Sequence, residues 1–191
     1  MGNYRPITDV WLLARPKVKY YGAYPAGFLE RARALLGVSL EDPVLHVCSG
    51  RVNDYPYRGG VGPNDKTLDL CSELSPDYCR DAREPLPLRD SGKPWPAILA
   101  DPPYTVGDAE HYAVGGEVLP EPNALLRNAL SVVRPYGRVG MLHYFAPRPP
   151  KEVKLIALIA VMTGYKNRVR LYSVFENRIA AQAAQPLLPL M

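Results

Sequence analysis

The apolar run Ala97-Ile98-Leu99-Ala100 stops abruptly at Asp101-Pro102-Pro103-Tyr104. An uninterrupted apolar run of this length is the mark of a strand buried on both faces. Two successive prolines cannot continue such a strand, because neither has an N–H for the ladder. The chain must therefore leave a central strand at Asp101, carrying an acid and an aromatic ring on a stiff turn. Strands of this kind belong to parallel sheets, whose connections usually carry helices.

The remaining pattern fits that expectation. Residues 1–20 read as irregular, with Trp11, Leu12 and Leu13 as an anchor. Tyr20-Tyr21-Gly22-Ala23-Tyr24-Pro25 predicts a turn into a helix that buries Phe28, Leu29, Ala32, Leu35 and Leu36 and stops at Gly37. Val44–Val47 predicts a buried strand ending at Cys48-Ser49-Gly50, and residues 51–65 a polar, Gly-rich loop. Further strands are expected over 66–70, 78–81, 138–144 and 168–175, with helices over 122–133 and 151–162. The predicted fold class is α/β: a mostly parallel sheet flanked by helices in one domain spanning 1–191. Residues 1–24 form an N-terminal extension of it and 178–191 a loosely held tail.

Composition narrows the class. The chain has 191 residues, 47% of them hydrophobic, enough for a sizeable core. Its 21 prolines read as loop punctuation within a folded domain. No apolar run approaches the ~20 residues of a membrane span, and the N-terminus lacks the apolar stretch of a signal peptide. Three cysteines without a CxxC spacing make no disulfide framework. The expectation is a soluble, cytoplasmic protein without a membrane partner. A net charge of +4 permits a polyanionic partner without requiring one.

In parallel sheets ligands sit outside the carboxyl ends of the strands, so Gly50, Asp69, Asp81 and Asp101 should face one crevice. The Asp101–Tyr104 turn suits a planar amine. The exocyclic nitrogen of adenine or cytosine delocalises its lone pair into the ring and is a poor nucleophile. The Asp101 carboxylate and the Pro102 carbonyl can accept its two hydrogens and draw the nitrogen towards tetrahedral geometry. Pro103 stiffens the turn, and Tyr104 offers a ring for stacking an extruded base, worth about 1–3 kcal/mol. At the other strand end, the Gly50 turn lets a cofactor approach the backbone. Asp69, about 20 residues on at the next strand end, can accept from a ribose. Asp81 could reach an adenine amine from the third strand end.

In this order, Val44-Leu45-His46-Val47-Cys48-Ser49-Gly50, Leu68-Asp69-Leu70, Arg80-Asp81-Ala82 and Ile98-Leu99-Ala100-Asp101-Pro102-Pro103-Tyr104 resemble S-adenosylmethionine-dependent methyltransferases of the Rossmann-like class I fold. The closest likeness is to the amino-methylating group that acts on adenine in DNA. Tyr20 to Leu29 is similar to an N-terminal stretch of small standalone methylases. The resemblance covers residues 18–145. It implies S-adenosylmethionine as cofactor, with Cys48, Ser49 and Gly50 beside its methionine part, Asp69 on its ribose and Asp81 at its adenine edge. His46, Leu70, Ala82 and Asp101 complete that cofactor set, and Asp101, Pro102, Pro103 and Tyr104 meet the target amine. Two positions depart from the family's glycine loop: Cys48 stands where an aromatic is usual, and Val52 where a second glycine is.

Around the crevice, Arg51 and Arg58 are placed to meet phosphates. The stretch 105–119, with Tyr112, is placed to close over a bound nucleic acid. Lys151, Lys154, Lys166, Arg168 and Arg170 read mostly as solvated faces, and His143 and Tyr144 as crevice lining. His46, Cys48, Cys71, Cys79 and His111 lack metal-ligand spacing, so buried structural cysteines and no metal are expected. Gly62–Thr67 is no phosphate loop, since Asp65 rather than glycine precedes Lys66. The expected function is methyl transfer to the adenine amine, with DNA as partner. A dimer or partner subunit would add to the grip of so small a domain. The alternatives are the same chemistry on RNA, a nucleotide or a side-chain amide, or a non-catalytic binding module.

Overall fold

The strand expected before Asp101 lies in the middle of the sheet in the computed structural model of this chain, which describes residues 5–18, 22–54, 60–110, 119–163 and 168–178. The strands are β1 (Ile7–Leu13), β2 (Val44–Val47), β3 (Lys66–Asp69), β4 (Tyr78–Cys79), β5 (Trp95–Ala100), β6 (Val133–His143), β7 (Val153–Thr163) and β8 (Val169–Asn177). The helices among the described residues are α1 (Phe28–Leu36), α2 (Val106–Glu110) and α3 (Pro122–Val132). The strand order is β1-β7-β8-β6-β5-β2-β3-β4. All neighbours pair in parallel except β8, which runs antiparallel to both β6 and β7. From β2 the chain builds outward through β3 and β4. It then returns to β5 on the other side of β2. That reversal opens a crevice at the carboxyl ends of β2 and β5.

Each face of the sheet has its own core. On one, α1 packs Phe28, Leu29, Ala32 and Leu36 over Val44, Leu99, Leu142 and Tyr172. Gly27 and Gly37 bound this helix with φ of 76° and 69°, a left-handed backbone that side chains resist. On the other face, α3 packs Leu125, Leu126, Ala129 and Leu130 against Leu45, Ile98, Ala100 and Met141. Glu121 caps α3 by accepting from the N–H groups of Asn123 and Ala124, at 3.0 and 2.7 Å, and Pro122 occupies its first turn.

Two expectations need correction. Residues 151–162 are strand, not helix. They form β7, an interior strand between β1 and β8, whose β-branched Val153, Ile156, Ile159 and Val161 are buried. The register shifts between Leu155 and Ala157, a bulge that breaks the period-two alternation and so hides the strand in the sequence. Residues 7–13 are ordered strand, not irregular chain. Trp11 and Leu13 point into the core, and Leu12 stands 72% exposed between them. The crossovers from β2 to β3 and from β3 to β4 carry, among the described residues, single 3-10 turns (Val52–Asp54 and Ser72–Leu74).

Aromatic packing ties β1 to the rest. Trp11 lies 6.2 Å from Phe28 and 6.0 Å from Tyr172, ring centre to ring centre, and Phe28 stacks on Tyr24 at 5.2 Å. Tyr172 is fully buried, and its hydroxyl reaches the Ala32 carbonyl at 3.4 Å. No helix among the described residues is long and apolar enough to cross a membrane.

Candidate active site

At the end of β2 the backbone twists sharply: Cys48 has φ of 54° and Gly50 of 52°. Among the described residues nothing lies within 4 Å of the position a Cβ would take on Gly50, so a ligand can approach its backbone closely. The Gly50 N–H donates to Asp69 Oδ2 at 2.9 Å, and Cys71 N–H donates to Oδ1 at 3.0 Å. Asp69 thus clamps the ends of β2 and β3 together. An ionised carboxylate accepts about four hydrogen bonds, so capacity remains for hydroxyls of a ligand. Ser49 is buried and its N–H donates to the Leu68 carbonyl at 3.2 Å.

Asp101 stands beside this turn, its N–H donating to the Val47 carbonyl at 3.2 Å. The Cys48 thiol is pushed up by burial and by the charges of Asp69, Asp101 and Asp81, and stays neutral. One side chain at the end of β2 therefore senses the acids of β3, β5 and the β4 exit together. Hydrogen bonds thus join the ends of β2, β3 and β5 at this turn.

Burial raises the Asp101 carboxyl to about 6, against the opposing pull of Arg170. The Tyr104 hydroxyl donates to Asp101 Oδ1, and its own ionisation is pushed well up by burial and by Asp101. Pro102 is buried, and Pro103 is half-buried. The Tyr104 ring lies 4.6 Å from Tyr144, tilted by 52°, and 5.1 Å edge-on from His143. Phe145, 47% exposed, packs 4.5 Å from His143. Burial lowers the His143 value, and its Nδ1 accepts from the Phe145 N–H at 3.4 Å, so the ring is neutral. Arg168 reaches the Tyr144 hydroxyl at 3.2 Å. The exit of β5 is thus lined by aromatic faces with a guanidinium at the rim.

Several expected site residues are placed otherwise. His46 turns into the fold, where its Nε2 meets Asp65 at 3.1 Å. Asp65 also pairs with Arg33 and accepts from the N–H groups of Val44 and Gly62. Even-numbered positions of β2 face α1, which carries Arg33, so His46 belongs to this cluster beneath the helix. Ala82 is buried in the α3 core, its carbonyl taken by Asn128 at 3.3 Å. Leu70 is exposed. Asp81 is held below the usual carboxylate range by a bidentate bond from Arg83, so a ligand would have to compete for it. Arg51 is exposed and pairs with Asp54 at 2.9 Å. Val52 is buried in the core under α1, which accounts for a bulky residue where a glycine was expected. Arg58, Tyr112, His111, Lys166 and the tail beyond Arg178 lie outside the described residues. Of the cysteines expected to be buried structural residues, the half-buried Cys48 packs against the α3-side core, whereas Cys71 is half-buried and Cys79 exposed.

This architecture has clear parallels. TrmN from Thermus thermophilus superposes with a TM-score of 0.57 at 20% identity, covering 82% of this chain and 50% of that one. The rRNA methyltransferase aviRa from Streptomyces viridochromogenes gives 0.51 at 14% identity, over 84% and 88% of the two chains. The fold is that of the Rossmann-like methyltransferases. SMU.776, whose structure holds SAH, gives a TM-score of 0.50 at 12% identity, over 81% of this chain and 51% of that one. The chain spans about half the length of TrmN. No family model matches the chain, and no curated protein sequence does. Within this fold, the Asp101–Tyr104 turn lies beside the Cys48–Gly50 turn, which Asp69 braces from β3.

One residue of this site has no local signature. Arg170, read with the other late basic residues as a solvated face, is half-buried instead, and its charge acts on Asp101 and Tyr104. Only the antiparallel course of β8 brings it there.

Proposed function

We propose that the protein transfers a methyl group from S-adenosylmethionine to the exocyclic amine of adenine in DNA. The observation that carries this reading is the adjacency of two half-sites. The Asp101–Tyr104 turn abuts the Cys48–Gly50 turn, with the Asp101 N–H on the Val47 carbonyl and the Gly50 N–H on Asp69. A cofactor held at the Gly50 turn and an amine held at Asp101 would then meet.

The residues fit such a cofactor. Gly50 leaves its backbone open, and Asp69 has accepting capacity for a ribose beyond its two backbone bonds. Bound S-adenosylmethionine supplies an electrophilic methyl group on a sulfonium sulfur. Asp101 and the Pro102 carbonyl accept the two amine hydrogens and turn the nitrogen lone pair out of the ring plane. Tyr104, with Tyr144 and His143 behind it, offers an aromatic wall for the extruded base. A methyl group supplied there would leave the amine nitrogen, held by Asp101 and Pro102, with one proton too many. The ammonium so formed gives its surplus proton to Asp101 or to water. No protein nucleophile takes part.

A second reading, the same chemistry on RNA, is favoured by the likeness to the rRNA methyltransferase aviRa. Labelled S-adenosylmethionine offered with unmethylated DNA, with RNA and with adenosine separates the two, beside an Asp101→Ala control. Label in DNA adenine that disappears in the control is the expected result. Label in RNA moves the substrate and keeps the chemistry. No label in any acceptor, despite cofactor binding by calorimetry, overturns the catalytic reading in favour of a binding module.

A further inference from the structure

At the sheet edge where β5 ends, β6 also ends and β8 begins, with His143 opposite Leu171. Tyr144 follows β6 there, and Arg168 comes just before β8. Ring contacts hold the Tyr144 side chain: Tyr104 lies 4.6 Å from it and His143 6.3 Å, and Phe145 packs 4.5 Å from His143 on the outer side. The hydroxyl of Tyr144 accepts from Arg168 Nη1 at 3.2 Å. A guanidinium only donates, whereas a phenol accepts and also has one proton to give. The Tyr144 oxygen is therefore the acceptor of this pair, and its own proton has no acceptor among the described residues. Arg168 is exposed and brings a full positive charge to the same spot. One neutral donor and one cation thus stand together at the rim of the aromatic wall. Such a pair suits an anion with several oxygens, to which charge-assisted hydrogen bonds are short and strong. In a nucleotide the phosphate lies to the side of the base, as this pair lies to the side of the Tyr104 ring.

We propose that Tyr144 and Arg168 form a seat for a backbone phosphate beside the extruded nucleotide, the hydroxyl and the guanidinium both donating to its oxygens. The inference rests on the methyl-transfer reading and narrows its acceptor to a base within a polynucleotide, rather than a free nucleoside or a side-chain amide. Arg168 supplies the charge. Tyr144 supplies the position, because its ring is held by Tyr104 and its oxygen by Arg168 before any ligand arrives.

The test is equilibrium binding by fluorescence anisotropy, with a short DNA duplex and its RNA counterpart as probes, for the parent, Tyr144→Phe and Arg168→Gln. Tyr144→Phe keeps the ring and removes the hydroxyl. We expect it to weaken binding about tenfold with the salt slope unchanged, since no charge is lost. Arg168→Gln should weaken binding by a similar factor and lower the slope by about one. Further probes carry neutral methylphosphonate linkages beside the adenines, first on one side and then on the other. On the set that lacks the seated phosphate, Tyr144→Phe should bind as the parent does. Tyr144→Phe equal to the parent on the natural probes overturns the inference. An equal loss on natural and neutral probes also overturns it, since the hydroxyl would then act through packing. So does a parent that binds neither nucleic acid. A parent that binds but transfers no methyl group to any acceptor fails the function reading separately, while the binding data still decide the seat.

Discussion

Asp101 meets two opposed demands. As an anion it accepts hydrogens from an amine, but its surroundings raise its carboxyl to about 6 from the ordinary 3.8. The folded value lies above the unfolded one, so the fold favours the protonated acid. That stability is fully present below about pH 4 and is lost as pH rises through about 6. At neutral pH the ionised group therefore costs stability, up to about 3 kcal/mol for a shift of this size. Asp101→Asn removes the charge and keeps an acceptor for the Tyr104 hydroxyl. It should unfold at higher urea than the parent at pH 7.5, while losing methyl transfer by about 100-fold or more. An Asn variant less stable than the parent would contradict the burial cost. In the parent, kcat/KM should rise with pH through a midpoint near 6, and a profile flat from pH 5 to 8 would remove Asp101 from the chemistry. The sequence already marks Asp101, because two prolines after an apolar run leave no other local structure. It could not mark the pairing of Tyr104 with Asp101 or of Asp81 with Arg83, which rotamers settle only inside the folded site.

At the scale of elements, the helices α1 and α3 were legible because each keeps one apolar face and a clear stop or start: Gly37 for one, Pro122 for the other. β7 was not, since an apolar run of that length satisfies either period until its neighbours pair with it. β1 shows the same limit from the other side, as its hold on the sheet comes from Trp11 against Phe28 and Tyr172. Trp11→Ala should cost about 3–5 kcal/mol in urea unfolding, whereas Leu12→Ser on the exposed side should change stability by about 0.5 kcal/mol or less. Equal losses would mean that β1 is not packed by alternate residues. Beneath α1, Asp65 joins Arg33, His46 and two backbone N–H groups. Despite burial, these partners hold it below the usual carboxylate range. Its contribution is present above about pH 4 and is lost as pH falls through the lowered value. Asp65→Ala should therefore cost about 3–5 kcal/mol at pH 7, with the gap to the parent closing in acid. A gap that does not depend on pH would mean the residue acts by packing alone.

For the whole molecule, the net charge of +4 is modest, and its placement matters more than its size. Arg168, just before β8, and Arg170 within it lie at the same sheet edge as the crevice, Arg168 against the Tyr144 hydroxyl. Under the proposed function, nucleic-acid binding should weaken linearly in log affinity against log salt. Arg168→Ala should lower that slope by about one, as fluorescence anisotropy with a short duplex would show. An affinity indifferent to salt would argue against phosphate contacts and for a small-molecule acceptor.

Local chemistry by itself determined the parallel α/β class, the strand ends at Gly50, Asp69 and Asp101, and the rigid Asp-Pro-Pro-Tyr turn. Each depends only on residues adjacent in the chain: an apolar run, a glycine at positive φ, a proline without a donor. The tertiary structure alone decided that β7 is a strand, that His46 serves Asp65 beneath α1, and that the charge of Arg170 acts on Asp101. Those outcomes depend on partners tens of residues away, brought into range by sheet order and by the reversed direction of β8. Hydrogen bonds and charge pairs act over a few ångströms in space, and no local pattern records which distant residue will stand at that distance.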